Sequence, residues 1–290
     1  MTRSAAAGVA ALALCAAALP AHAQDSERWN WRGTVARGGT LEVRGIQGSI
    51  RAAVASGSAV EVTAIKHGDD DPADVRIEVV EGSDGVTICA VYPGRGNSCE
   101  PGGGHMNVRH SDVEVDFQVR VPAGVRFEGV QVSGDVEVVG LGAGADASSV
   151  SGDVVVRDVD GRVTAHSVSG SVTLEQVDGD EVNAQTVSGD VRFSGPIRDG
   201  GRYRFKTLSG DVTVSPDGAL NADVSVSTFS GDLDSDYPIT MSGGRRHSHR
   251  NSFDATIGNG NATLALESFS GTISLRRGRG DTGTTRRKQI

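Results

Sequence analysis

SGDVVVRDV (Ser151–Val159), DGRVTAHSV (Asp160–Val168) and SGSVTLEQV (Ser169–Val177) follow one another without a break. Each segment opens on a two-residue turn signal, Ser-Gly or Asp-Gly. Each then alternates apolar and polar side chains, the period of a strand with one buried face. One such strand cannot cover its own apolar face. Two strands folded face to face cover each other, and further pairs extend both sheets by backbone hydrogen bonds, about 4.8 Å per step. The stretch predicts an all-β fold, a β-solenoid (β-helix-like) with turns of 18–21 residues.

Outward from this stretch, Ser-Gly-Asp or a near variant begins at Ser133, Ser151, Ser169, Ser188, Ser209, Ser230 and Ser270, at intervals of 18, 18, 19, 21, 21 and 40 residues. Such spacing marks a stacked-repeat architecture. The last interval spans two turns, which predicts a worn copy or a loop excursion near 234–268. Seven or eight turns would make a rod of roughly 35 Å.

Aligned on the turn, the fourth position is apolar: Val136, Val154, Val163, Val172, Val182, Val191, Tyr203, Val212, Val224, Leu233 and Ile273. Two residues on stand Val138, Val156, Ala165, Leu174, Ala184, Phe193, Phe205, Val214, Val226 and Leu275. The residue between them is usually polar, as in Glu137, Thr164, Thr173, Asn183, Arg192, Arg204, Thr213, Ser225, Asp234 and Ser274. A third apolar column (Val132, Val150, Val168, Val187, Leu208, Phe229, Phe269) precedes each Ser-Gly and is read with the core. A hydroxyl precedes that column at Ser149, Ser167, Thr186, Thr207, Thr228 and Ser268, placed to bond along the ladder. Glycine supplies positive φ at the corner. The Asp after it can hold the turn by accepting from backbone amides.

Two other solenoids fit less well. A six-residue template puts Arg162 in the core, and the calcium nonapeptide needs Gly-Gly-x-Gly-x-Asp, which is absent. The organisation expected is residues 24–130 as a β region that continues and caps the rod, 131–276 as the repeats, and 277–290 as a basic disordered tail. In the first region the strand patterns are Thr40–Arg44, Ser49–Val54, Val60–Lys66, Val75–Glu81, Val86–Val91, Val113–Val121 and Val125–Val132, with Gly102–His110 a loop. Capping matters because a bare sheet edge aggregates.

Residues 1–23 have the layout of a secretory signal: Arg3, an apolar run from Ala5 to Leu19, and Ala21-His22-Ala23 before a cleavage between Ala23 and Gln24. Cys15 raises a lipid-anchor alternative, but Leu14 is too large for that processing. No other stretch is long and apolar enough to cross a bilayer. Export implies a periplasmic, outer-surface or extracellular location. There Cys89 and Cys99 read as a disulfide closing a Pro- and Gly-rich loop. The formal net charge of −9 argues against a nucleic-acid partner.

The SGDV-x-V repeat, the export signal and the turn VPAGV (Val121–Val125) together resemble the bacterial DUF4097 family over roughly residues 38–276. The resemblance implies a β-strand-repeat protein, of a kind often labelled an adhesin. It implies no catalytic residues, so none are carried over.

Candidate chemistry is thin. Asp135, Asp153, Asp190, Asp211 and Asp232 form a column that suits either Ca²⁺, which takes several oxygens, or turn capping. Ser171 and Thr272 in the same column favour capping. His247, His249, His105 and His110 lie in loops, the first two among Arg245, Arg246 and Arg250, without the companions a metal needs. His166 lacks a marked catalytic partner. Arg279-Gly280-Asp281 matches a cell-attachment tripeptide in a basic tail that suits anionic surfaces. The sequence therefore points to an exported, non-catalytic surface or envelope protein without a cofactor, binding a cell-surface glycan or another envelope protein. The alternatives are a polysaccharide-processing enzyme using Asp234, Asp236 and Asp254, and an envelope-stress accessory protein. The polar residues between the apolar columns, or the Asp234–Ser268 loop, are the expected binding surface.

Overall fold

The computed structural model describes residues 26–108, 111–238 and 251–278. In chain order the strands begin with β1 (Glu27–Gly33), β2 (Thr40–Arg44), β3 (Ile50–Val54), β4 (Val60–His67), β5 (Arg76–Glu81), β6 (Gly85–Val91), β7 (Glu114–Val121) and β8 (Arg126–Ser133). They continue with β9 (Val136–Val139), β10 (Ala145–Ser151), β11 (Val154–Arg157), β12 (Val163–Ser169), β13 (Val172–Glu175), β14 (Glu181–Ser188) and β15 (Val191–Pro196). The last are β16 (Arg202–Ser209), β17 (Val212–Asp217), β18 (Ala222–Ser230), β19 (Leu233–Ser235), β20 (Asn251–Ile257), β21 (Ala262–Ser270) and β22 (Ile273–Leu275). Among the described residues one short 3-10 turn, Pro72–Asp74, is the only helix.

The strands make two sheets of eleven. The first runs β1-β4-β7-β3-β9-β11-β13-β15-β17-β22-β19, and the second β20-β18-β21-β16-β14-β12-β10-β8-β2-β6-β5. From β8 to β17 the chain alternates between sheets, and each strand pairs in parallel with the equivalent strand of the next copy. Val154 lies beside Val136 and Val172, an offset of 18 in each direction. Eleven strands exceed the seven or eight turns expected, because β1–β7 and β20 join the same two sheets.

The two inward columns are the core. Val136, Val154, Val172, Val191 and Val212 are fully buried, as are Val138, Val156, Leu174 and Val214. Phe193, Tyr203 and Phe205 fill the wider turns, with the two phenyl rings 4.9 Å apart. The offset between paired residues grows from 18 at Val154–Val172 to 21 at Val191–Val212, where these larger side chains enter.

Both ends depart from simple stacking. The interval of 40 is not a worn copy: β21 inserts in parallel between β16 and β18, and β22 between β17 and β19. The last copy in sequence is therefore not the last in space. The extra strand β20 pairs antiparallel to β18 at the sheet end. At the other end β4 is antiparallel to β7, β1 to β4 and β5 to β6. Strand β1, with Trp29 and Trp31 half-buried, was not expected from the sequence.

Tyr92 closes the core near the antiparallel end, and its hydroxyl donates to the Val113 carbonyl at 2.7 Å. Burial pushes its phenol from 10.0 up to about 12. The folded state thus favours the protonated phenol. Its contribution is complete below pH 10 and is lost as pH rises toward 12. Alkaline unfolding followed by circular dichroism is expected in that window, with Tyr92→Phe showing a shallower dependence on pH there.

Candidate functional site

The Ser-Gly corner joins the second sheet to the first. Of its glycines, Gly134, Gly189, Gly210 and Gly271 have φ from 126 to 147°, and Gly152 and Gly170 have 157 and 158°. The Asp carboxylates cap amides one turn along the stack. Asp135 Oδ1 accepts from Asp153 N at 2.8 Å, Asp153 from Ser171 N at 2.7 Å, Asp190 from Asp211 N at 2.9 Å and Asp211 from Thr272 N at 2.7 Å. These oxygens are spent on the backbone. Among the described residues no three His, Cys, Asp or Glu cluster as a metal site.

Of the two columns beside the corner, the hydroxyls bond along the ladder as expected, and the third apolar column faces away from the core. The hydroxyls point inward and are buried. They bond to corner glycine carbonyls of the neighbouring turn: Ser149 to Gly134, Ser167 to Gly152, Thr186 to Gly170, Thr207 to Gly189 and Ser268 to Gly210. The third apolar column is consequently outside the core. Val132, Val150, Val168, Val187, Leu208, Phe229 and Phe269 are each 40–49 % exposed. Strand parity is the reason: Ala145, Ala147 and Ser149 face in, so Val150 faces out. The column continues to half-buried Ile46, which precedes the Gln47–Ser133 bridge. At its far end the Phe229 and Phe269 rings stack 4.6 Å apart.

The polar residues between the inward columns divide between the two outer faces. On the first sheet one row crosses every strand: Asn30, Thr63, Gln118, Arg51, Glu137, Val155, Thr173, Arg192, Thr213, Ser274 and Asp234. Its two arginines balance its two acids. Arg157 lies alongside and donates to Glu175 at 2.8 Å and to Glu137. On the second sheet the matching row holds Glu42, Glu128, Asp146, Thr164, Asn183 and Arg204. Burial, then Glu42 and Asp146, raise the Glu128 carboxyl despite Arg44 and Arg126. His166 lies on the same face, and burial pulls its imidazole below the ordinary histidine range despite Asp146.

The three acids considered for a cleft are not brought together. Asp234 and Asp236 share Arg276 at 2.6 and 3.5 Å beside the first sheet, while Asp254 lies on β20 in the second, opposite Ser225. The ladder runs past the expected tail boundary at 277, since Gly278 N donates to Pro216 O at 3.1 Å. His105 is in a loop whose carbonyl accepts from Ser98 N at 2.9 Å. His247, His249, His110, Ala23, Gln24 and Arg279-Gly280-Asp281 lie outside the described residues.

Cys89 and Cys99 form a disulfide with Cα atoms 5.7 Å apart. The same loop is held by Glu42, a buried carboxylate that accepts from Thr87 Oγ1 and Gly102 N, both at 2.9 Å. This anchor went unread because only the fold brings Glu42 to residue 102.

No curated protein matches the chain. A "putative cell adhesion protein" from Clostridium sporogenes is 11 % identical, with 87 % of this chain and 100 % of that one covered and a TM-score of 0.37. A "putative adhesin" from Bacteroides fragilis is 12 % identical, with 86 % and 97 % covered and a TM-score of 0.40. The family model described as Toastrack DUF4097 matches residues 30–276. The chain belongs to the DUF4097 family.

Proposed function

We propose that this is an exported, non-catalytic surface protein, adhesin-like in action, that binds an extended neutral glycan along the outer face of its first sheet. In this reading the two sheets are the faces of one β-solenoid of 18–21-residue turns, and residues 24–130 continue and cap it. One observation carries the proposal. The row across the first sheet is polar at ten of eleven positions and has no net charge. Strands recur about every 4.8 Å, so the row offers regularly spaced hydroxyl, amide and guanidinium groups to a polymer with its own regular repeat. The disulfide suits an oxidising compartment.

The test is retention on cell-wall and capsular polysaccharides, with sugar release assayed in parallel. Binding without turnover is expected. Arg192→Ala with Thr213→Val, both at the solvent face, should weaken retention roughly tenfold or more, as loss of central contacts does. Failure to bind any surface polymer would sink the proposal.

A further inference from the structure

We propose that the apolar column beside the Ser-Gly corner is a self-association surface, and that its occupant is a second copy of this chain running antiparallel. The inference is independent of glycan binding, which uses the other sheet's outer face.

Area is the first argument. Seven side chains are 40–49 % exposed in one straight file. Four valines, a leucine and two phenylalanines, each nearly half exposed, present on the order of 600 Å² of apolar surface, at the top of what monomers leave bare. The exposed serines next to it bring the face close to the roughly 800 Å² per partner of a stable interface. No described residue covers it.

Shape and charge select the occupant. The column tapers, with Phe229 and Phe269 at one end and Ile46 and Val132 at the other. A two-fold axis between Val168 and Val187 sets Phe229 over Ile46, Phe269 over Val132 and Leu208 over Val150. Large then meets small, and the gap stays even. A parallel pair would set Phe on Phe and open a wedge. A second copy also carries the same strand spacing, so contacts stay in step along about 34 Å. At the rim the same axis sets Asp135 opposite Thr272, Asp190 opposite Ser171 and Asp232 opposite Ser49. Only Asp153 and Asp211 oppose as like charges.

Sedimentation of the chain, purified after export, should show a dimer at micromolar concentration. Val187→Lys at the centre should weaken it at least about tenfold with an unchanged circular dichroism spectrum, since the side chain faces solvent. Asp153→Asn should tighten it. A Val168→Cys chain mixed with a Val187→Cys chain should crosslink, and neither alone should. A wild-type chain still monomeric at about 100 µM, a weak association by interface standards, overturns the proposal and leaves the column to another occupant. A dimer indifferent to Val187→Lys, or crosslinking by Val168→Cys alone, overturns it equally.

Discussion

Gly210→Ala is expected to cost about 3 kcal/mol or more, a large share of the 5–15 kcal/mol that holds a domain folded. Gly210 turns the corner at φ +146°. A methyl there would lie 2.6 Å from the Gly189 carbonyl carbon and closer still to its oxygen. Both atoms are backbone, so no flexible side chain can move aside. The Gly189 oxygen is also fixed, because Thr207 Oγ1 donates to it at 2.9 Å. The same contact recurs along the stack, with Gly271 against Gly210 and Gly189 against Gly170. A shift at one corner is therefore passed to its neighbours. Gly200→Ala is the control. Gly200 also has positive φ, +77°, but nothing lies within 4 Å. It should lose only the left-handed strain of about 1–2 kcal/mol. Urea midpoints of the two variants should separate clearly. Equal losses would show that conformation, and not the stacked carbonyl, makes glycine necessary.

The corner also shows what could be read from sequence and what could not. Val154, Val156 and their equivalents were legible because a two-residue period repeated at 18 residues names an inward face without a structure. The Asp column was legible as a cap because Ser171 and Thr272 also serve there, and Asp190 N donates to Ser171 Oγ at 3.4 Å. Val150 and Val168 were misread on hydropathy. Parity places Ser149 and Ser167 inside, where a glycine carbonyl accepts from each buried hydroxyl and offsets the cost of burying it. That acceptor belongs to another turn and leaves no mark in the local pattern. Thr228 at the stack end is the exception: it is equally buried, yet its Oγ1 has no hydrogen-bond partner among the described residues. Strand β1 has no repeat to identify it. The position of β21 was hidden for another reason. Every Ser-Gly copy is competent to stack on every other, so a repeat reveals its periodicity and not its order in space.

That hidden order makes a chain ending at Asn261 a sharp test. Simple stacking would make this the loss of an end turn. In the structure it removes β21 and β22 from between their neighbours. Arg202–Ser209 loses the register with Thr263–Ser270, and Ala222–Ser230 loses its parallel partner. Leu264, Leu266, Ile273 and Leu275 go with them, each essentially fully buried. At about 1.5–3 kcal/mol for each such side chain, the burial lost is roughly 6–12 kcal/mol, as large as a whole domain's stability. The damage should nevertheless be local, because stacked repeats are held by nearest-neighbour interfaces. In the sheet order, β18, β19 and β20 meet the rest only through β21 and β22. Hydrogen exchange should therefore collapse over 222–235 and 251–257 while persisting over 136–196. Persistent protection at 222–235 would mean that β18 had docked directly on β16, as its Ser-Gly corner allows. The native order would then be set by the returning strand's competition for that edge, and not by any pairing peculiar to β18.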